Sequence, residues 1–298
     1  MGIANTLLRS SLARWVLAAG ERSPLRRLLT SAVYDSQVGL HIGSGDMEKD
    51  WNSRARRNGR FYVAGFDWQS EERFRRSGKR DLDGIILKGL DLPHGAVVLE
   101  IGCGLGRLLR PLSGRVKEAH GVDISYEMVR QATEALQDCP NVLIQQTDGT
   151  LGQFSSEYFD FCFSYTVFQH ISAKAAVLRY FHDSARVLKP GGLFRFQICR
   201  GEPDNPRNQA GGTWLGVVFS ESELEEVLRA SGFAVLDMGE ESAYRQTSGI
   251  TMRVPLTQAD ASRWDSIIVT CQKVKGGIMG AEEPLEGDAG TKAPYGEA

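Results

Sequence analysis

The sequence has no apolar run near the ~20 residues that a bilayer crossing needs, and its opening carries no secretory pattern. Both absences lead to the expectation of a soluble protein of the cytoplasm. Cysteine is sparse and unpaired: Cys103, Cys139, Cys162, Cys199 and Cys271 form no C-x-x-C motif. None stands near a histidine at metal-ligand spacing, so free thiols in a reducing compartment are expected, with no metal site. Excess charge of either sign is also missing. The formal net charge is −2 over 298 residues, which gives no support for bulk nucleic-acid binding. With 42% apolar and 24% charged residues, the composition is that of an ordinary globular protein.

The chain is organised around Val97-Val-Leu-Glu-Ile-Gly-Cys-Gly-Leu-Gly-Arg107. Val97, Val98, Leu99 and Ile101 read as a buried central strand. Gly102, Gly104 and Gly106 follow at alternate positions, and Leu108, Leu109 and Leu112 then fall at helical spacing. Strand, glycine turn and helix make a nucleotide-binding corner, where the backbone turns tightly and a Cβ would hold a ligand off. Glycines alone would also suit an ordinary turn; the flanking acids separate the two readings.

Four segments follow from the patterning. Residues 1–34 are basic and amphipathic, with Leu8, Leu12, Trp15 and Val16 on one helical face. Such helices suit packing on the domain or a partner better than lying on an anionic membrane surface. Residues 35–94 read as a helical cap rich in arginine and aromatics, with interleaved acids that favour a lid over a pocket above a nucleic-acid groove. Residues 95–275 alternate strand and helix: strands 96–101, 118–124, 141–147, 158–165 and 193–199, with helices 106–113, 126–136 and 173–187 between them. Ser125 is the expected N-cap of the second helix. Leu188-Lys-Pro-Gly-Gly192 reads as a helix stop and turn. Ser220-Glu-Ser-Glu223 is a capping box before helix 221–231, and strands 233–239 and 266–273 pair without a helical crossover, hence antiparallel. Residues 276–298 lack periodicity and are expected to be a dispensable disordered tail.

Asp123 closes the second strand, about twenty residues after Gly102, where a carboxylate can accept from both hydroxyls of a ribose. The dinucleotide fingerprint G-x-G-x-x-G fails, because its third position is Arg107. Glu100 stands two residues before the first glycine; a buried anion there repels a pyrophosphate and suits a cationic ligand. In these features the chain resembles the class I S-adenosylmethionine-dependent methyltransferases. Glu100-Ile-Gly-Cys-Gly-Leu-Gly106 is similar to their first motif and Gly121-Val-Asp123 to their ribose motif. Thr147-Asp-Gly149 resembles the acidic residue that holds the adenine amino group. Phe159 to Tyr165 resembles the fourth-strand motif, and Leu188 to Gly192 the turn before the fifth strand.

The resemblance covers residues 96 to about 273. It implies a Rossmann-like α/β fold, with a mostly parallel sheet, an antiparallel last strand and helices on both faces. It also implies S-adenosyl-L-methionine as cofactor and methyl transfer by in-line displacement to a small-molecule acceptor. The expected cofactor-binding residues are Tyr62, Glu100, Gly102, Cys103, Gly104, Gly106, Asp123, Ile124, Met128, Asp148, Gly149 and Tyr165. Of these, Ile124 and Met128 would flank the adenine, Gly104 and Gly106 would offer amides to the donor carboxylate, and Tyr62 would reach in from the cap. His170, just past the fourth strand, is the candidate catalytic base; the alternative is a structural histidine that caps the next helix. A protein or peptide acceptor stays open through the Trp214 loop, as does a non-catalytic donor-binding subunit.

Overall fold

The computed structural model describes residues 46–65, 67, 70–205, 208, 213–214, 216–241 and 264–275. The helices expected over 1–34 and the tail expected over 276–298 lie outside the described residues. Helix α1 (Met47–Ala64) starts at Asp46, whose side chain accepts from Lys49 N. It kinks at Asn58, where the backbone leaves helical geometry and the side chain accepts from Phe61 N at 3.2 Å. That internal cap turns Phe61 and Tyr62 toward the protein. Helix α2 (Glu71–Asp81) is capped by Ser70 and runs on into a π-helical turn, Leu82–Ile86.

The sheet follows: β1 (Val97–Ile101), β2 (Glu118–Asp123), β3 (Val142–Gln146), β4 (Phe159–Ser164), β5 (Leu188–Gly201), β6 (Phe233–Glu240) and β7 (Trp264–Lys273). The order is β3-β2-β1-β4-β5-β7-β6. The first five strands pair in parallel, and β7 runs antiparallel to both β5 and β6. The helices between are α3 (Leu109–Ser113), α4 (Tyr126–Ala135), α5 (Lys174–Val187) and α6 (Glu221–Ala230). Ser125 caps α4 by accepting from Met128 N at 3.1 Å. Ser220 caps α6, but Glu223 pairs with Lys174 and not with the helix start, so only half of the expected capping box forms.

β1 is buried at every position, as a central parallel strand must be. Val97, Leu99 and Ile101 join a core with Phe168, Phe181, Phe194 and Phe196 on one sheet face. Val98 joins the other, with Leu82, Ile85, Ile86, Leu108 and Leu109. At ~1.5–3 kcal/mol per fully buried large side chain, these two layers fix β1, and with it the turn that follows. Among the described residues no helix is long and apolar enough to cross a membrane.

Three boundaries differ from expectation. The helix expected from 106 begins only at Leu109, because Gly104 and Gly106 hold left-handed φ values of +52° and +71° that no α-helix contains. Within the expected helical cap, Leu82–Ile86 forms the π-turn and not regular α-helix. Arg195 on β5 explains it: one guanidinium nitrogen donates to the carbonyls of Ile85, Ile86 and Lys88 at 3.2, 3.0 and 2.7 Å. Strand 193–199 is longer, because Leu188-Lys-Pro-Gly-Gly192 is already strand, pairing Leu188 with Phe159 across a bulge.

Candidate active site

The glycine turn packs against the fourth-strand loop and the cap. Gly102 has φ +75°, and a Cβ there would sit 2.3 Å from Val167; at Gly104 a Cβ would meet Val63 of α1 at 2.8 Å. At both positions protein already occupies the space that a Cβ would need, beside the cavity that the two glycines line. Val167 follows Thr166, a β-branched residue held at φ +58°, so the contact is made between two constrained turns.

Carboxyl ends of β1, β2 and β4 and the inner face of α1 enclose a cavity of about 250 Å³. Tyr62, Glu100, Gly102, Cys103, Gly104, Asp123, Ile124, Met128, Asp148, Gly149, Tyr165 and His170 all line it. Gly106 does not line it; the Cβ it lacks would point at Leu136, 2.4 Å away, so its place is under α4. The amides expected to take a donor carboxylate are already engaged. Gly104 N donates to Asp123 Oδ2 at 2.9 Å, and Gly106 N to the Cys103 carbonyl at 2.8 Å.

One end of the cavity is acidic. Asp123 accepts from Gly104 N on one oxygen and from Ser125 N on the other. Burial pushes its pKa up to about 6, against the pull of those two amides. Glu100 is 3% exposed. Burial raises its pKa well above the ordinary value; Arg107 opposes this and Asp123 adds to it. Its Oε2 is buried with no hydrogen-bond partner among the described residues. An orphaned carboxylate oxygen facing a cavity is costly unless a donor or cation meets it. S-adenosylmethionine carries an ammonium, two ribose hydroxyls and a sulfonium, so the residues present fit that group. Arg107, set aside in the sequence as the residue that breaks the dinucleotide pattern, also lines this end, anchored to Asp81 at 2.6 Å. Its Nε is buried without a partner among the described residues. Farther along, Asp148 accepts from Thr150 N at 3.0 Å, which lowers its pKa together with the Thr150 hydroxyl.

The other end is aromatic. The Trp51 and His170 rings meet edge to face at 5.2 Å, and Trp214 lies 4.8 Å from His170 and 5.7 Å from Tyr62. Arg54, 1% exposed, stacks over Trp51 and Trp214 at 4.7 and 5.3 Å. It donates to the Thr213 carbonyl and hydroxyl, both at 2.9 Å. The Thr213 hydroxyl in turn donates to Asp50 at 2.7 Å. Trp214 thus packs against Trp51, Tyr62 and His170 and supports the cavity wall without lining it. Asn52 ties α1 to the donor corner by accepting from Ser125 Oγ and Glu127 N, both at 2.9 Å. His170 caps nothing: the residue before α5 is Ala173, with no side-chain cap. Its ring nitrogens face the Trp214 carbonyl and the Gln169 amide. Sequence reasoning missed Trp51, Asn52, Arg54 and Thr213 as site builders; the only signal for the first three was the arginine–aromatic mixture of residues 51–80, and Thr213 carried none.

A parallel α/β sheet with a ligand cavity at its carboxyl ends and a ribose-type acid after β2 defines a Rossmann-like nucleotide-binding protein. Residues 99–196 match the family model described as a methyltransferase domain, so this stretch of the chain carries a methyltransferase domain. The ubiquinone biosynthesis O-methyltransferase of Ruegeria pomeroyi is 32% identical over 48% of this chain and 62% of its own length. Phosphoethanolamine N-methyltransferase 2 of Caenorhabditis elegans is 29% identical over 44% of this chain and 30% of its own. The phosphoethanolamine N-methyltransferase 2 structure of Haemonchus contortus, with phosphomonomethylethanolamine and S-adenosylhomocysteine, shares the fold at a TM-score of 0.52 and 18% identity, over 64% of this chain and 52% of that one. The chain spans between about a third and a half of the length of several curated relatives, at 46%, 30% and 33% of three of them.

Proposed function

We propose that the protein transfers a methyl group from S-adenosylmethionine to a small, planar, largely apolar acceptor in the cytoplasm, where its five free thiols suit a reducing environment. The observation that carries this reading is the division of one cavity into an acidic end and an aromatic end. When bound, the donor supplies a methyl on a sulfonium sulfur, already activated for displacement. Glu100 meets the ammonium with its orphaned oxygen, Asp123 accepts from the ribose hydroxyls, Ile124 and Met128 flank the adenine, and Asp148 accepts from its amino group. Trp51, Tyr62, His170 and Ile171 form the seat of the acceptor, as rings prefer to pack edge to face or offset. The relatives named for ubiquinone biosynthesis and phosphoethanolamine methylation support a small acceptor; the aromatic wall favours a ring over a phosphorylated amine.

The chain's work is to hold the reacting atoms in line and exclude water. Calorimetry with S-adenosylmethionine, followed by mass spectrometry of a panel of phenols, hydroquinones and amines, tests the reading. Asp123→Ala should weaken donor binding by ~1–3 kcal/mol, since it removes an acceptor from buried hydroxyls. A protein that binds neither the donor nor its demethylated product would overturn the proposal.

A further inference from the structure

Behind the cavity wall runs a hydrogen-bonded chain across β4, β5 and β7. Tyr165 OH donates to Glu241 Oε1 at 2.8 Å, and Ser266 Oγ donates to Glu241 Oε2 at 2.6 Å. Gln197, fully buried, gives its amide nitrogen both to Ser266 Oγ and to Gln169 Oε1, the latter at 3.1 Å. Gln169 Nε2 then lies 3.2 Å from His170 Nε2, and His170 Nδ1 lies 2.5 Å from the Trp214 carbonyl.

Donor and acceptor roles along this chain are not free. A carboxylate only accepts, so Glu241 turns the Ser266 hydroxyl hydrogen toward itself and leaves the Ser266 oxygen as an acceptor. Gln197 must therefore present its NH2 group to Ser266 and, with the second hydrogen, to Gln169. Its own Oε1 is left buried with no partner among the described residues. An amide free to choose would not strand its carbonyl; the orientation is imposed from the Glu241 end. Gln169 is thereby oriented with its carbonyl toward Gln197 and its NH2 toward His170. The carbonyl of Trp214 already requires a proton on Nδ1. The NH2 of Gln169 requires a lone pair on Nε2.

We propose that Gln169 is a positioning residue whose amide, oriented from Glu241 through Ser266 and Gln197, keeps His170 neutral and occupies its one lone pair. His170 then serves as a wall for the acceptor and not as its base. The charged groups on the facing element agree with this. Arg54 on α1 stacks over the same two tryptophans that pack on His170, and a second cation beside it is disfavoured. Asp50, the nearby acid on α1, is engaged through Thr213. The consequence for catalysis rests on the methyl-transfer reading; the state of the ring does not.

The test is the protonation state of the His170 ring in the full chain, read from two-bond 1H–15N correlation spectra at neutral pH. The expected wild-type result is a proton on Nδ1 and none on Nε2. Gln169→Glu places an acceptor where a donor stood and should put a proton on Nε2, converting His170 to imidazolium. Glu241→Gln lets the chain reverse and should raise the Nε2-protonated fraction several-fold; it carries the same test should Gln169→Glu fail to fold. A wild-type ring protonated on Nε2, or a folded variant of either kind whose ring state is unchanged, would overturn the proposal. Because the spectra need no turnover, failure to find any methyl acceptor leaves this outcome readable.

Discussion

The two ends of the cavity are built by opposite routes. The donor end comes from short stretches at the ends of consecutive strands: Glu100 to Arg107, Asp123 to Met128, Thr147 to Gly149. Its parts clip one another locally, as Gly104 N does on Asp123. The acceptor end is assembled across the chain. Arg54 and Thr213 meet from 159 residues apart, and Ser125 reaches Asn52 from 73 away. The difference teaches where specificity can vary. A locally closed unit tolerates little change, while a wall gathered from distant segments can be altered at the side chains that do not touch the donor corner, such as Trp51, and not at those that do, such as Asn52 and Val167.

Gly102→Ala should break the donor end most severely. Its Cβ would overlap Val167, and its φ is left-handed; overpacking and backbone strain together should cost about 3–5 kcal/mol. Chemical denaturation would measure this, and a loss under 1 kcal/mol would show the fourth-strand loop to be soft. At the acceptor end, Arg54→Met should cost ~1–3 kcal/mol of stability, through the unpaired Thr213 carbonyl and the lost ring stacking. Acceptor KM should rise while donor affinity stays within about twofold; a matching fall in donor affinity would mean that the two ends are not separable.

The smallest expected effect separates the ends by pH. Burial raises the pKa of Asp123 to about 6. In the ligand-free protein the proton therefore favours the fold: this stability is complete below the unfolded carboxyl value and is lost as pH rises through about 6. Accepting ribose hydroxyls favours the ionised form, so the sign for the donor is reversed. Donor affinity should fall about tenfold from pH 7 to pH 5, while Asp123→Asn should flatten that dependence. Titrations at both pH values check it, and a wild-type affinity independent of pH would remove Asp123 as the linked group.

Much of the sheet was legible because β1 and β4 are largely apolar runs bounded by turns, and because strands 233–239 and 266–273 lack a crossover between them. The donor end was legible for the same reason: its residues stand at strand ends, where chain order and spatial order coincide. What stayed hidden depended on atoms distant in sequence. The π-turn at Leu82–Ile86 exists because of Arg195, and β5 begins at Leu188 because Phe159 is there to pair with it. Trp51 and Arg54 looked like one more arginine–aromatic stretch until Trp214 and His170 stood opposite them. His170 was found by its position after β4, but the state of its ring is set by Gln169, Gln197, Ser266 and Glu241, which no spacing rule connects.

Arg195 also bears on how this protein can be divided. A change of pattern near residue 94 invites a cut between cap and sheet. Yet the cation on β5 satisfies itself on carbonyls from before that cut, and Leu82, Ile85 and Ile86 share a core with Val98 and Leu109. Excising the earlier helices would strand a buried charge in the middle of the sheet and open its apolar face to water. The turn after α2 therefore belongs to the sheet and not to a detachable cap: a cut before Leu82 leaves Arg195 its carbonyl partners, and a cut at residue 94 removes them.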